Sequence, residues 1–166
     1  MADTYLSQEE LKKFIATLPT RRLAAAAMIR DERNRLLIVR PNYRDGWALP
    51  GGTTEAGEDP KTGCFREVQE EVGLTLPPGR VLMIFHGLQM GVWGDSTYYI
   101  YDGGVISAET PITLQEEELL EYRWVERESI PEYFGVDFTQ RLLACYEALN
   151  TGETLETSSH TPLQRG

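Results

Sequence analysis

The spacing of hydrophobic and polar side chains changes several times along the chain, and each spacing predicts a helix or a strand. Within the first twenty residues, four apolar side chains share one side of a short amphipathic helix: Leu11, Phe14, Ile15 and Leu18. Ser7 and Glu10 have the spacing of a capping box, which predicts where this helix begins, and Pro19 predicts where it ends.

The next segments have the composition of strands, followed by a second helix. Residues 22–31 and 35–41 predict two strands that form a hairpin around a polar turn, and the run from Leu36 to Val39 predicts burial on both faces. The sequence WALPGG predicts a short strand that runs into a glycine turn. Residues 58–73 then show the 3.6-residue periodicity of a helix.

In the second half, VLMIFHG and STYYIYDGGVIS predict two further strands, and LQEEELLEYRWVE predicts a loop followed by a strand. Residues 137–152 predict a terminal helix with Asp137 at the N-cap and Gly152 just beyond its end. Residues 151–166 are poor in apolar side chains, so we expect a disordered tail there.

Length and composition limit the organisation of the chain. With 166 residues and 41% hydrophobic content, we expect one domain with one sizeable core, spanning residues 21–150 after an N-terminal helix within residues 1–20. No segment has the apolar length of a membrane helix or the apolar centre of a signal peptide. Cys64 and Cys145 lack metal-ligand spacing, so we expect them to be small core or helix-face residues in a cytoplasmic protein.

Charge excludes two classes of partner. The formal net charge is −10 and the basic residues are scattered, so we expect neither long nucleic acid nor a membrane as partner. A small phosphorylated ligand remains compatible with this charge, because a divalent cation can screen its phosphates locally.

One face of the helix at residues 58–73 is unusually acidic. Glu67, Glu70 and Glu71 cluster roughly 130° away from the apolar stripe of the same helix, at spacings where like charges repel. Such a face is either solvated surface or a cation site, because Mg²⁺ is commonly held by a few carboxylates together with substrate phosphate.

These residues form part of a longer pattern that resembles the Nudix box. The pattern consists of Gly52, five residues, Glu58, seven residues, and then the run from Arg66 to Leu74. The lead-in WALPGG and the later LEYRWV also resemble the Nudix domain, and the similarity covers roughly residues 22–148. Gly63-Cys64 is a small departure, since family members often have alanines there.

The resemblance implies an α/β (α+β) fold, with a mixed β-sheet sandwiched between α-helices. It also implies Mg²⁺-dependent hydrolysis of a diphosphate linkage in a nucleotide-type substrate, with Mn²⁺ as a substitute. Its metal ligands would be Glu67, Glu70, Glu71 and the carbonyl of Gly51, and an ion pair between Glu58 and Arg66 would orient them. The general base would be Glu67 or a later carboxylate such as Glu118, for which Glu116 and Glu117 are adjacent alternatives.

The substrate is less well determined. Tyr43 and Arg44 are candidates to contact a base or phosphate, although an exposed loop tip is the alternative. His86 is a candidate for the cleft, with a structural histidine as the alternative. Two other functions stay open: hydrolysis of a non-nucleotide diphosphate such as a prenyl diphosphate, and a non-catalytic nucleotide sensor. The first helix is a candidate surface for a homodimer.

Overall fold

A computed structural model describes residues 5–160 and residue 163. Its helices and strands follow in the order α1 (Gln8–Ala16), β1 (Arg22–Asp31), β2 (Leu36–Pro41), β3 (Gly51–Thr53), α2 (Pro60–Val72), β4 (Val81–Gly87), β5 (Ser96–Ile106), β6 (Leu119–Val125), α3 (Val136–Thr151) and β7 (Leu155–Ser158). Short 3₁₀ turns lie at Gly91–Trp93 and Arg127–Glu132.

The strands form one mixed sheet with the order β6-β2-β1-β5-β4-β7, and β3 pairs with β1 beside this path. β1 pairs in parallel with β5 and β4 in parallel with β7, whereas the other pairs are antiparallel. The predicted hairpin of β1 and β2 is confirmed.

The two faces of the sheet are each covered by one helix. Residues of β1 alternate between the faces: Ala25 and Ala27 pack with the apolar stripe of α2, while Ala26 and Met28 pack with α3. Residues 36–39 of β2 are fully buried because the sheet is covered on both sides. The predicted mixed sheet between helices is therefore confirmed, and both cysteines are buried in its two cores.

The helix α1 forms where predicted, with the complete capping box of Ser7 and Glu10. None of its residues is buried, and the side chains of its apolar stripe are exposed. Among the described residues, no helix combines the length and apolar character required to cross a membrane.

Three details differ from the sequence predictions. Asp137 is not the N-cap of α3, because Gly135 has the extended cap conformation and the helix already begins at Val136. In WALPGG the strand lies later than expected: Ala48 makes an isolated bridge with Val39, and β3 begins at Gly51.

The third difference concerns the tail, for which the prediction of disorder over residues 151–166 is wrong where the structure describes it. Residue 151 ends α3, and β7 pairs with the edge strand β4. Leu155 packs on the core beneath α3, and Thr157 is buried. Residues 161, 162 and 164–166 lie outside the described part of the chain.

Candidate active site

Two glycines bring the chain into close contact with β1 and α2. Gly51 and Gly52 pair with Ala26 and Ala25, and the Gly51 φ of 153° lies in a region that favours glycine. A Cβ on Gly51 would lie 2.2 Å from the carbonyl oxygen of Ala25, and one on Gly52 would lie 2.7 Å from the carboxyl carbon of Glu67. Only glycines therefore allow this backbone to approach the glutamates.

The helix α2 has strong signals at both ends, which fix the direction of its side chains. Its N-cap is Asp59, whose carboxylate accepts a hydrogen bond from the Thr62 N–H at 3.0 Å, and Pro60 follows in the first turn. Gly73 ends the helix in the left-handed conformation, with φ of 71°. The apolar stripe packs on the sheet, so the acidic face is directed towards the glycine turn.

Arg66 connects three of the carboxylates. Its guanidinium binds Glu58 with two hydrogen bonds of 2.8 and 3.0 Å. The Nη1 atom of Arg66 also donates to Glu67 at 3.0 Å and to Glu70 at 3.1 Å. The Glu58–Arg66 ion pair that the resemblance implies is therefore present.

Glu58 is itself held from several directions. The hydrogen bond from Arg66 and one from the Glu55 backbone lower the pKa of Glu58, so it stays ionised. A Cβ on Gly63 would lie 2.8 Å from the Glu58 carboxylate, so the glycine that departs from the family pattern directly faces this ion pair. Gly63 is part of the packing around the site.

Two of the carboxylates, Glu71 and Glu67, are disfavoured as anions. Burial raises the pKa of Glu71 to about 7, a hydrogen bond of 2.9 Å from the Gly51 N–H opposes this, and the charges of Glu67, Glu118 and Glu70 add to it. Burial likewise raises the pKa of Glu67, although Arg66 partly offsets this. A bound cation would relieve this accumulation of negative charge.

The charge of Glu118 contributes to the raised pKa of both Glu67 and Glu71. Its turn is tied to α2 through the Gln115 N–H, which donates to the carbonyl oxygen of Glu71 at 2.9 Å. Glu116 and Glu117 are more exposed than Glu118. The structure thus gives Glu118 an electrostatic link to the site.

The carboxylate set fits a hard divalent cation in its chemistry, since all its side-chain donors are oxygens. In the part of the chain that the structure describes, however, no three acidic, histidine or cysteine side chains are already arranged as a metal cluster. Arg66 donates hydrogen bonds to Oε1 of Glu67 and Oε2 of Glu70, and the Gly51 N–H donates to Oε2 of Glu71. Each of these bonds engages one of the two oxygens of its carboxylate, and a cation held by all three requires the side chains to move closer together.

The candidate substrate residues lie in different surroundings. Tyr43 is 67% exposed, and Arg44 donates to the carbonyl oxygen of Asp45 at 3.3 Å. Burial raises the pKa of Tyr98, the charge of Glu71 adds to this effect, and the charge of Arg44 opposes it.

His86 has protein partners at both ring nitrogens. Its Nδ1 atom lies 3.2 Å from the Thr97 hydroxyl and 3.3 Å from Arg21, and its Nε2 atom lies 2.8 Å from Glu156 of β7. A substrate contact through His86 would have to displace one of these groups. The alternative of a structural histidine agrees better with these contacts.

Sequence reasoning missed Asn42, which contacts the turn that carries Glu118. Its N–H donates to the carbonyl oxygen of Glu118 at 2.8 Å, and its side-chain Nδ2 donates to that of Glu117 at 2.7 Å. No periodicity or motif in the sequence indicates this pairing, because 75 residues separate Asn42 from Glu117.

Comparisons with known proteins agree with this arrangement. A model of the NUDIX domain matches residues 20–144. Diphosphoinositol polyphosphate phosphohydrolase 3-alpha of Homo sapiens is 32% identical over 134 residues, which cover 76% of this chain and 71% of that protein. A MutT-like protein of Streptomyces ambofaciens is 32% identical over 74 residues, but the match spans only 48% of that protein and 45% of this chain.

Among solved structures, the MutT protein of Methanosarcina mazei Go1 is similar with a TM-score of 0.66 and 27% identity. The match covers 81% of this chain and 99% of that one. A domain match over most of the chain, the same fold and the Arg66-centred carboxylates agree with one another. The chain therefore belongs to the Nudix family of hydrolases, which act on diphosphate substrates.

Proposed function

We propose that this chain hydrolyses a diphosphate linkage in a nucleoside di- or triphosphate-type substrate, with Mg²⁺ as the cofactor and Mn²⁺ as a substitute. The observation that supports this most strongly is the group of carboxylates on α2, in which Glu71 is buried, Glu67 is half-buried, and Arg66 binds Glu58, Glu67 and Glu70. Glu67 and Glu71 have raised pKa values because burial and neighbouring negative charge disfavour their ionised forms. A site built in this way gains stability from a divalent cation.

In this proposal each residue of the acidic face has a defined task. Glu67, Glu70 and Glu71 hold the cation together with the Gly51 carbonyl, and Glu58 keeps the Arg66 guanidinium in place through two hydrogen bonds. When bound, the cation supplies charge neutralisation at the diphosphate oxygens. Arg66 limits how far Glu67 and Glu70 can turn, because one nitrogen atom donates to both.

The proton of the attacking water needs an acceptor near the substrate phosphorus. Glu67 and Glu118 are the two candidates, and each is a carboxylate in a group of like charges. Burial raises the pKa of Glu67 in the metal-free protein, and a cation held by the same carboxylate would lower it again. We also assign Arg44 a contact with a phosphate of the substrate, and the preceding Tyr43 a contact with its base or phosphate.

The substrate class follows from charge. The human relative is named for diphosphoinositol polyphosphates, which carry many phosphates, whereas this chain has a net charge of −10 and no basic stripe. A substrate with a single short phosphate chain requires fewer cationic contacts. We therefore favour a nucleotide-type substrate, in a cytoplasmic protein whose exposed α1 stripe is a candidate homodimer surface.

The test is a panel of diphosphate compounds assayed for phosphate and pyrophosphate release with Mg²⁺ and with EDTA. The panel contains nucleoside di- and triphosphates, a nucleoside diphosphate sugar, a diphosphoinositol polyphosphate and a prenyl diphosphate. We expect Mg²⁺-dependent turnover of a nucleotide and its loss in EDTA. Turnover of the inositol or prenyl compound alone would overturn the nucleotide assignment, and binding without turnover would overturn the hydrolase proposal.

A further inference from the structure

The turn that carries Glu118 is anchored on two sides. On one side, the Gln115 N–H donates to the carbonyl oxygen of Glu71 at 2.9 Å, and the Thr113 N–H donates to that of Val72 at 3.1 Å. Both acceptors belong to the end of α2, so these bonds fix the beginning of the turn relative to the acidic face. The turn itself closes with the Glu118 N–H donating to Gln115 at 3.0 Å.

On the other side, Asn42 donates hydrogen bonds to the backbone carbonyl groups of Glu117 and Glu118. Its backbone N–H donates to the carbonyl of Glu118 at 2.8 Å, and its Nδ2 atom donates to the carbonyl of Glu117 at 2.7 Å. The second bond depends on the side-chain amide, because residues without a side-chain donor at position 42 cannot make it.

We propose that Asn42 is a positioning residue, whose side-chain amide holds the Glu117 carbonyl and thereby keeps the Glu118 carboxylate directed towards Glu67 and Glu71. This inference rests on the proposed hydrolase function. Asn42 also immediately precedes Tyr43 and Arg44, so its bonds connect the candidate substrate loop with the turn.

The physical reason is repulsion among carboxylates. Glu118 has the same charge as Glu67 and Glu71 and raises the pKa of both, and the hydrogen bonds to the end of α2 hold its turn beside them. Repulsion among these carboxylates favours an outward movement of the turn. A neutral amide opposes that movement without pairing with Glu118. A lysine or arginine at position 42 would instead supply a cation that could pair with the carboxylate and reduce its basicity.

The first test compares Asn42→Ala with Glu118→Gln and with the double variant. We expect Asn42→Ala to lower kcat by roughly 10-fold or more with KM changed by less than about 2-fold, since residues that orient catalytic groups have effects of this size. In the Glu118→Gln background, Asn42→Ala should have little further effect. Asp45→Ala is the control, because Asp45 is exposed on the same loop and contributes only its backbone carbonyl to Arg44.

Asn42→Gln provides a rescue, because it keeps the amide donor on a longer side chain, and we expect kcat between those of wild type and Asn42→Ala. The proposal is overturned if the losses of the two single variants multiply in the double variant. It is equally overturned if Glu118→Gln or Asn42→Ala alone leaves kcat unchanged.

A second measurement needs no substrate and no metal. Amide hydrogen exchange should show faster exchange at Glu118 and Leu119 in Asn42→Ala, because their N–H groups both donate to Gln115 within the turn. Unchanged exchange there would overturn the positioning role. A wild-type protein without turnover on any diphosphate would refute the proposed function, and the exchange result would then decide the role of Asn42 independently.

Discussion

At the scale of single residues, the glycines opposite α2 determine where the carboxylates can lie. Gly52 leaves room for the Glu67 side chain, and Gly63 leaves room for Glu58. Neither glycine is explained by secondary structure alone, and Gly63 in the middle of a helix costs about 1 kcal/mol relative to alanine. Both are explained by the carboxylates that approach them.

Substitution of Gly52 by alanine tests this contact. The new Cβ would lie 2.7 Å from the Glu67 carboxyl carbon, so Glu67 must move. We expect kcat to fall roughly 10- to 100-fold, because small displacements of catalytic groups have effects of this size. Gly135→Ala is the control: it has an ordinary φ and open space around its Cβ, and its kcat should not change. Equal kcat values for the two variants would contradict the account.

Glu71 predicts a distinctive dependence of stability on pH in metal-free protein. Its pKa rises from 4.5 to about 7 on folding, so the folded state favours the protonated form. The resulting stabilisation of the folded state totals about 3 kcal/mol. It is fully present below the pKa that Glu71 has in the unfolded chain, and it is lost as the pH rises through the pKa that Glu71 has in the folded protein. Glu71→Gln keeps an acceptor for the Gly51 N–H and removes the titration.

The measurement is the free energy of unfolding by chemical denaturation in EDTA, at about pH 5 and about pH 8. We expect wild type to lose more stability than Glu71→Gln between these values, since other titrating groups are common to both proteins. An identical pH dependence of the two proteins would show that Glu71 is not an anion disfavoured by burial.

At the scale of helices and strands, the sequence predicted the elements that have strong local patterns. Continuous periodicity or capping residues mark the hairpin, the helices α2 and α3, and the strands β4 and β5. Each of these elements forms where expected. Glu58, Arg66 and the three glutamates of α2 belong to one local motif, and the resemblance of that motif to the Nudix box is the source of their predicted roles, which stay predictions. The hydrogen bonds between Asn42 and the turn that carries Glu118 were not predicted, since they depend on tertiary distances.

β7 shows where local patterns fail. Within residues 151–160, Leu155 is the single aliphatic or aromatic side chain, so composition alone suggested disorder. The strand forms because the edge of β4 offers a ladder from Met83 to His86, Leu155 packs half-buried against the core, and Thr157 is buried. Burial of side chains against an existing sheet is a long-range effect, which windowed composition does not capture.

Truncation tests the contribution of β7. A chain that ends at Gly152 should lose roughly 2 to 4 kcal/mol of unfolding free energy relative to one that ends at His160, because it lacks the ladder and the burial of Leu155. Urea denaturation of both chains measures the difference. If the two chains are equally stable, β7 makes no net contribution to the fold.

At the scale of the whole molecule, the covered sheet forms a scaffold on which negative charge accumulates at one place. The overall charge of −10 does not attract a phosphorylated substrate, so in the proposed function the attraction is local and is assigned to Arg44 and a bound cation. The exposed α1 lies outside this scaffold and contributes nothing to either core. The central claim is therefore that the α2 carboxylates, and not the global charge, give the protein its activity.

The most direct test uses the best nucleotide substrate from the panel and compares wild type with Glu71→Gln at saturating Mg²⁺. Circular dichroism of both proteins verifies that they are equally folded. We predict that Glu71→Gln loses at least about 100-fold in kcat, more than removal of a residue that merely supports a metal ligand. Near-normal turnover by a folded Glu71→Gln protein would contradict the account.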